Sequence, residues 1–257
     1  ATTGTSPRTK TSKKGKKSGA WAAATSRHPF EVTAVSDHAE TPAAAYEDVA
    51  PALAAAGGRG GTIYDPYYAD GGVVARLGAL GFGRVVNRNR DFYRDLEAGA
   101  LPEHDVLVTN PPYSADHIER LVAHVSSTGR PFAILVPTFV LGRAFWAAAV
   151  ARLEPEPFYV CPHRRYAYVP PAWARRDGAP ADAATTAPFH TAWFCWLRAT
   201  DPRPHFSPRV DVFSTVRDVA QQYRDVTDPL KKRANPKARK RLRARQRQKA
   251  AHYAPAP

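Results

Sequence analysis

The chain has 257 residues, 44% of them hydrophobic, which is enough for one α/β domain with a substantial core plus tails. No stretch approaches the roughly 20 apolar residues of a membrane span, so a membrane helix is excluded and a soluble protein is expected. The net charge of +14 sits at the ends: residues 1–27 carry seven Lys/Arg, residues 230–257 carry eleven, and neither segment holds an acid.

Residues 1–27, rich in Ser, Thr, Lys, Gly and Ala, lack any apolar period and predict a disordered basic tail. The chain starts without Met and shows no apolar signal core near that end, so a processed or longer N-terminus is expected. A domain is expected over residues 28–229. Thr41-Pro42 before Ala43, Tyr46, Val49 and Leu53 reads as a capped helix start, with Gly57 to Gly61 ending the helix. Gly61 to Tyr64 predicts a strand closed by Asp65-Pro66, and residues 73–80 a helix stopped by Gly81. Val85-Val86 is a second strand, and Phe92 to Leu96 a short helix.

Asp105 to Thr109 reads as a buried strand that runs into Asn110-Pro111-Pro112-Tyr113. Residues 114–128 place Ile118, Leu121, Val122 and Val125 on one helical face. Pro131 to Val136 predicts another strand and residues 141–153 another helix. Phe158 to Val160 and Tyr166 to Val169 look like strand pieces, residues 172–187 a polar loop, and Phe189 to Leu197 an aromatic strand. Residues 230–257 read as a basic C-terminal tail without a sustained apolar stripe, expected to turn helical only when bound.

Strands alternating with helices predict an α/β fold, a mostly parallel sheet with an antiparallel edge strand. Such sheets bind ligands beyond the carboxyl ends of their strands, and the turns at Asp65 and Asn110 both fall there. Two cysteines, Cys161 and Cys195, match no metal spacing or disulfide framework, which suits a reducing compartment. The nine histidines show no ligand pattern, so no metal is expected.

The sharpest chemical signal is the tetrapeptide Asn110-Pro111-Pro112-Tyr113. Two prolines remove two backbone donors and fix the chain's direction. The Asn110 side-chain carbonyl and a proline carbonyl then offer acceptors to an amino group, freeing its nitrogen lone pair to attack a methyl group. The Tyr113 ring offers a plate for a planar base, a contact worth roughly 1–3 kcal/mol.

That tetrapeptide resembles the catalytic motif of S-adenosylmethionine-dependent amino-methyltransferases, the class that includes adenine-specific DNA and RNA enzymes. The resemblance covers about residues 37–198. Thr41-Pro42 is similar to the Thr-Pro element that contacts the cofactor. Asp65-Pro66-Tyr67 with Gly71-Gly72 resembles the Asp-Pro-Phe-x-Gly-x-Gly cofactor loop, with shifted glycines. Asn87 stands where many such enzymes carry an acid for the ribose hydroxyls. Asp91-Phe92 resembles the pair facing the cofactor's adenine, although Asp91 also suits a helix cap. Arg165, Tyr166, Tyr168 and Phe189 fall on segments similar to the substrate-side strands. The resemblance implies a Rossmann-like methyltransferase fold, S-adenosyl-L-methionine as cofactor, and methylation of adenine's exocyclic amino group.

The basic tails imply a nucleic-acid partner, an address signal, or both. No separate target-recognition segment is visible in residues 154–229, which favours RNA over duplex DNA and leaves room for a companion subunit. Lys/Arg clusters at both ends suit a nuclear address, with mitochondrion or plastid as the alternative. Two competing functions are a protein glutamine amide methyltransferase and a non-catalytic nucleic-acid-binding protein on a decayed fold. His163-Arg164-Arg165 suits either a substrate phosphate or a solvated strand end, and Trp193 and Trp196 suit the core.

Overall fold

Short aliphatic runs build the centre of the sheet. β1 (Ile63–Asp65), β3 (Val106–Thr109) and β4 (Phe132–Pro137) are buried at every position, as strands covered on both faces must be. With the less buried β2 (Val85–Asn87) they run parallel in the order β2-β1-β3-β4, Ile63 pairing with both Val85 and Val106. The computed structural model describes residues 28–30, 35–171, 184–198 and 206–223; both expected tails lie outside these residues.

The antiparallel part is larger than one edge strand. β8 (Thr191–Trp196) inserts antiparallel to β4, with Phe132 opposite Trp196 and Pro137 opposite Thr191. β5 (Phe158–Pro162) pairs antiparallel with the far side of β8, and β9 (Val210–Phe213) antiparallel with β5 at the edge. β1 to β5 therefore share one direction, against β8 and β9. The sequence explains the placement: all six residues of β8 are buried, which suits an inner strand, whereas β9 buries only Val210. The expected strand at Tyr166 to Val169 does not join this sheet. Only Ala167–Tyr168 (β6) is extended, and it pairs with Thr185–Thr186 (β7), inside the stretch expected to be loop.

Helices cover both faces. α1 (Ala43–Ala55) and α2 (Gly72–Ala79) lie on one; α3 (Phe92–Glu97), α4 (His117–Thr128), α5 (Ala144–Val150) and α6 (Val216–Gln222) lie on the other. The pleat divides β3 between them: Val106 and Val108 pack toward α1 and α2, Leu107 toward α4. Ile118, Leu121, Val122 and Val125 form the buried stripe of α4. Trp193 is fully buried, its Nε1 donating to Ala45 O at 2.9 Å, and Trp196 Nε1 donates to Pro155 O at 2.8 Å. The N-cap of α1 is Pro42, one residue later than the expected Thr41, whose hydroxyl is engaged elsewhere.

Candidate active site

β1, β2 and β3 end at Asp65, Asn87 and Thr109, and the turns beyond them open on one cavity of about 350 Å³. Asp65, Pro66 and Tyr67 line it from β1, Asn87 from β2, and Asn110 and Pro112 from β3. Thr41, Gly71, Asp91 and Phe92 complete the set of expected residues there. Pro42, Pro111, Tyr113, Arg165, Tyr166, Tyr168 and Phe189 do not line it.

The Asp65 carboxyl is 4% exposed. Its Oδ1 accepts from Thr109 Oγ1 at 2.6 Å and from the Tyr67 backbone N–H at 3.2 Å. Burial outweighs both bonds and lifts the carboxyl from its ordinary 3.8 to about 7. Among the described residues no cation pairs with it, so a cationic ligand group would complete the site. Asn87 Nδ2 donates to Asp65 O at 3.0 Å and Tyr67 O at 3.4 Å, which leaves its buried Oδ1 without a hydrogen-bond partner. An acceptor so placed suits a ligand hydroxyl.

The loop between β1 and α2 depends on its glycines. Gly71 has φ +81°, a left-handed conformation, and a Cβ there would meet the Tyr68 ring at 3.1 Å. A Cβ on Gly72 would strike the ion pair between Glu40 and Arg76. Glu40 also accepts from Asp70 N at 2.8 Å, so the segment before α1 pins this loop.

Asn110 is held from two sides. Its Nδ2 donates to Thr41 Oγ1 at 3.0 Å, and its Oδ1 accepts from the Tyr113 hydroxyl at 2.6 Å. That phenol also lies 3.1 Å from Leu135 O, and burial keeps it protonated well above the ordinary phenol range. Tyr113 is therefore a tether of Asn110, where a stacking plate was expected. Its ring meets Phe189 edge-on at 5.7 Å, and Phe189 meets Phe139 at 5.8 Å. Asp37 accepts from Tyr113 N at 3.2 Å and from the Ser114 hydroxyl, which fixes the turn's exit.

Asp91 is a true helix cap: its Oδ1 accepts from Tyr93 N at 2.9 Å and Arg94 N at 3.2 Å. Phe92 is buried and meets the Tyr67 ring edge-on at 5.4 Å. The cavity wall continues through residues the motif reading passed over. Tyr67 and Tyr93 hydroxyls lie 2.8 Å apart, Tyr93 Oη lies 2.9 Å from His117 Nδ1, and the Arg120 guanidinium sits 3.6 Å over the Tyr93 ring. His117 and Arg120 are three apart on the first turn of α4, beside its apolar stripe; that polar spacing right after the Asn110 turn was a readable signal.

The expected substrate residues sit apart from the cavity. Tyr166 is buried and donates to Asp48 Oδ2 at 2.8 Å, so it ties β6 to α1. Tyr168 Oη lies 3.0 Å from Thr191 Oγ1, and Arg165 Nη1 donates to Ala187 O at 2.9 Å. Phe189 and Tyr168 approach the Asn110 turn through Tyr113, Phe189 against its ring and Tyr168 by a hydrogen bond to its hydroxyl. His163 lies 3.2 Å from Asp211 on β9.

Among the described residues no helix is long and apolar enough to cross a membrane, and no group of His, Cys, Asp or Glu is arranged to hold a metal ion. No protein-family model, curated protein or solved structure matches the chain, so its function is argued from its own residues.

Proposed function

We propose that the chain is an S-adenosylmethionine-dependent N-methyltransferase with a Rossmann-like catalytic domain, acting on the exocyclic amino group of adenine in a nucleic acid, RNA ahead of DNA. One observation carries the reading: the Asp65 and Asn110 turns, 45 residues apart in sequence, open on the same cavity and are linked by the Thr109 hydroxyl.

The residues fit the cofactor. Asp65 would hold an amino-acid ammonium, the orphaned Asn87 Oδ1 would take a ribose hydroxyl, and Phe92 with Tyr67 would form an apolar wall for an adenine ring. The bound cofactor supplies an electrophilic methyl group.

Asn110 Oδ1 has two lone pairs, and Tyr113 uses one. The other accepts an N–H of the substrate amino group; the two prolines carry no backbone N–H to compete, and that of Tyr113 is taken by Asp37. The amino nitrogen is thereby placed with its lone pair free, a task of positioning more than acid–base power. An adenine in a duplex must leave its stack to arrive there, so a single-stranded one is easier to present. The basic tails, outside the described residues, supply backbone affinity.

Transfer of isotope-labelled methyl groups into RNA, DNA and protein fractions tests the reading. Label in nucleic-acid adenine, lost in Asn110→Ala, supports it. Label in protein alone identifies the glutamine alternative, and no heat of cofactor binding identifies the decayed-site alternative.

A further inference from the structure

An asparagine amide is close to symmetric in shape, and a flip exchanges its acceptor with its donor. The chemistry above needs one orientation only, with Oδ1 available to an amino group. Its neighbours must therefore choose between two nearly isosteric states.

Tyr113 does not make that choice. Its hydroxyl donates to Asn110 Oδ1 at 2.6 Å, but Leu135 O, 3.1 Å away, and the Tyr168 phenol can take the same proton. With the proton turned to Leu135, the Tyr113 oxygen becomes an acceptor and suits a flipped amide equally well. Discrimination must come from the other side of Asn110.

Thr41 stands there. Its Oγ1 receives Asn110 Nδ2 at 3.0 Å from a position 69 residues earlier in the chain, and it is 5% exposed. The same hydroxyl is hydrogen-bonded to the Tyr46 phenol, which is 2% exposed on α1. With the Thr41 proton turned toward Tyr46, Oγ1 has only lone pairs to offer Asn110. A flipped amide would then set Asn110 Oδ1 against Thr41 Oγ1, oxygen against oxygen, unless the Thr41 proton turned away from Tyr46. From this contact we infer that Thr41 is the positioning residue that fixes which way the Asn110 amide faces. The inference rests on the proposed function and departs from the cofactor contact that the Thr-Pro resemblance implies: Thr41 acts on turnover through Asn110, and not on cofactor affinity.

The test uses the full chain with Thr41→Val, which replaces the hydroxyl by a methyl of the same shape, and Thr41→Ser, which restores it. Thr41→Ala is read in the same way as Thr41→Val should the latter fail to fold. In wild-type protein one Asn110 Nδ2 proton, assigned by its disappearance in Asn110→Ala, should exchange slowly in a nitrogen-edited NMR spectrum. The valine variant should speed that exchange roughly tenfold and lower kcat about 10- to 100-fold, as expected for a misplaced positioning group, with the cofactor Kd within about twofold. The serine variant should restore both. Equal behaviour of the serine and valine variants overturns the inference, as does a tenfold loss of cofactor affinity at unchanged kcat. Absence of methyl transfer in the wild type would sink the proposed function alone, because amide exchange still decides whether Thr41 holds Asn110.

Discussion

Asp65→Asn should make the ligand-free protein more stable at pH 8, although it removes the residue proposed to bind the cofactor's ammonium. The Asp65 carboxyl is buried at the end of β1 and keeps its proton up to about pH 7, against 3.8 when exposed. Because the folded value is raised, the folded state holds a proton that the unfolded state releases between about pH 4 and pH 7. Stability therefore falls as pH rises through that window and is flat above it, a total of about 4 kcal/mol at roughly 1.4 kcal/mol per pH unit. An amide carries no such penalty, and its Oδ1 still accepts from Thr109 Oγ1 and Tyr67 N. The gain should be about 1.5 kcal/mol at pH 5 and approach about 4 kcal/mol at pH 8, less whatever the amide's NH2 loses by burial without a partner, typically 1–3 kcal/mol. Urea denaturation of wild type and variant at pH 5, 6, 7 and 8 measures it. The direction of the pH dependence is the sharp part. A stability difference independent of pH, or one that favours wild type increasingly as pH rises, would refute the buried, cation-free carboxyl.

Three further outcomes are expected. Calorimetry should show cofactor affinity rising up to about tenfold per pH unit below pH 7, as the wild-type carboxyl ionises, and flat pH dependence in Asp65→Asn. Asn110→Ala should lower kcat by about 100-fold or more with cofactor Kd within about twofold, measured by labelled methyl transfer. Asn87→Asp should lower stability by about 1–3 kcal/mol, the usual effect of stranding buried polar partners, read by the same urea titrations, without tightening cofactor binding.

Much of the site was legible because it is local in sequence. An aliphatic run followed by Asn-Pro-Pro-Tyr marks a strand end and a donor-free turn without any knowledge of the fold. Asp65-Pro66 and Asn87 read the same way, since each terminates a short apolar strand. What escaped was set by distant partners. Five consecutive apolar residues in β8, Ala192 to Trp196, announce a buried strand but do not say that it slots between β4 and β5. Val210-Asp211-Val212-Phe213 is too short and too mixed to stand out, yet it closes the sheet. Tyr113 looked like a plate because its ring is visible in sequence, whereas its hydroxyl partners Asn110 Oδ1 and Leu135 O come from the end of β3 and from within β4. Tyr166 was misjudged for the same reason: its partner Asp48 lies 118 residues away.

The departure at Asn87 has a physical cause in the turn it faces. Two backbone carbonyls, of Asp65 and Tyr67, converge on its side chain and require a donor. A carboxylate at this position would confront both oxygens and would lie beside a carboxyl already pushed up to about 7 by burial. Two acids here would raise each other further and hold protons at neutral pH, so neither would serve a cationic ligand well. An amide meets the two carbonyls through Nδ2 and still presents Oδ1 as an acceptor. The neutral residue at 87 and the buried carboxyl at 65 thus belong to one arrangement: an ionisable group at the end of β1 kept for the ligand's charge, and an uncharged acceptor at the end of β2 kept for its hydroxyls.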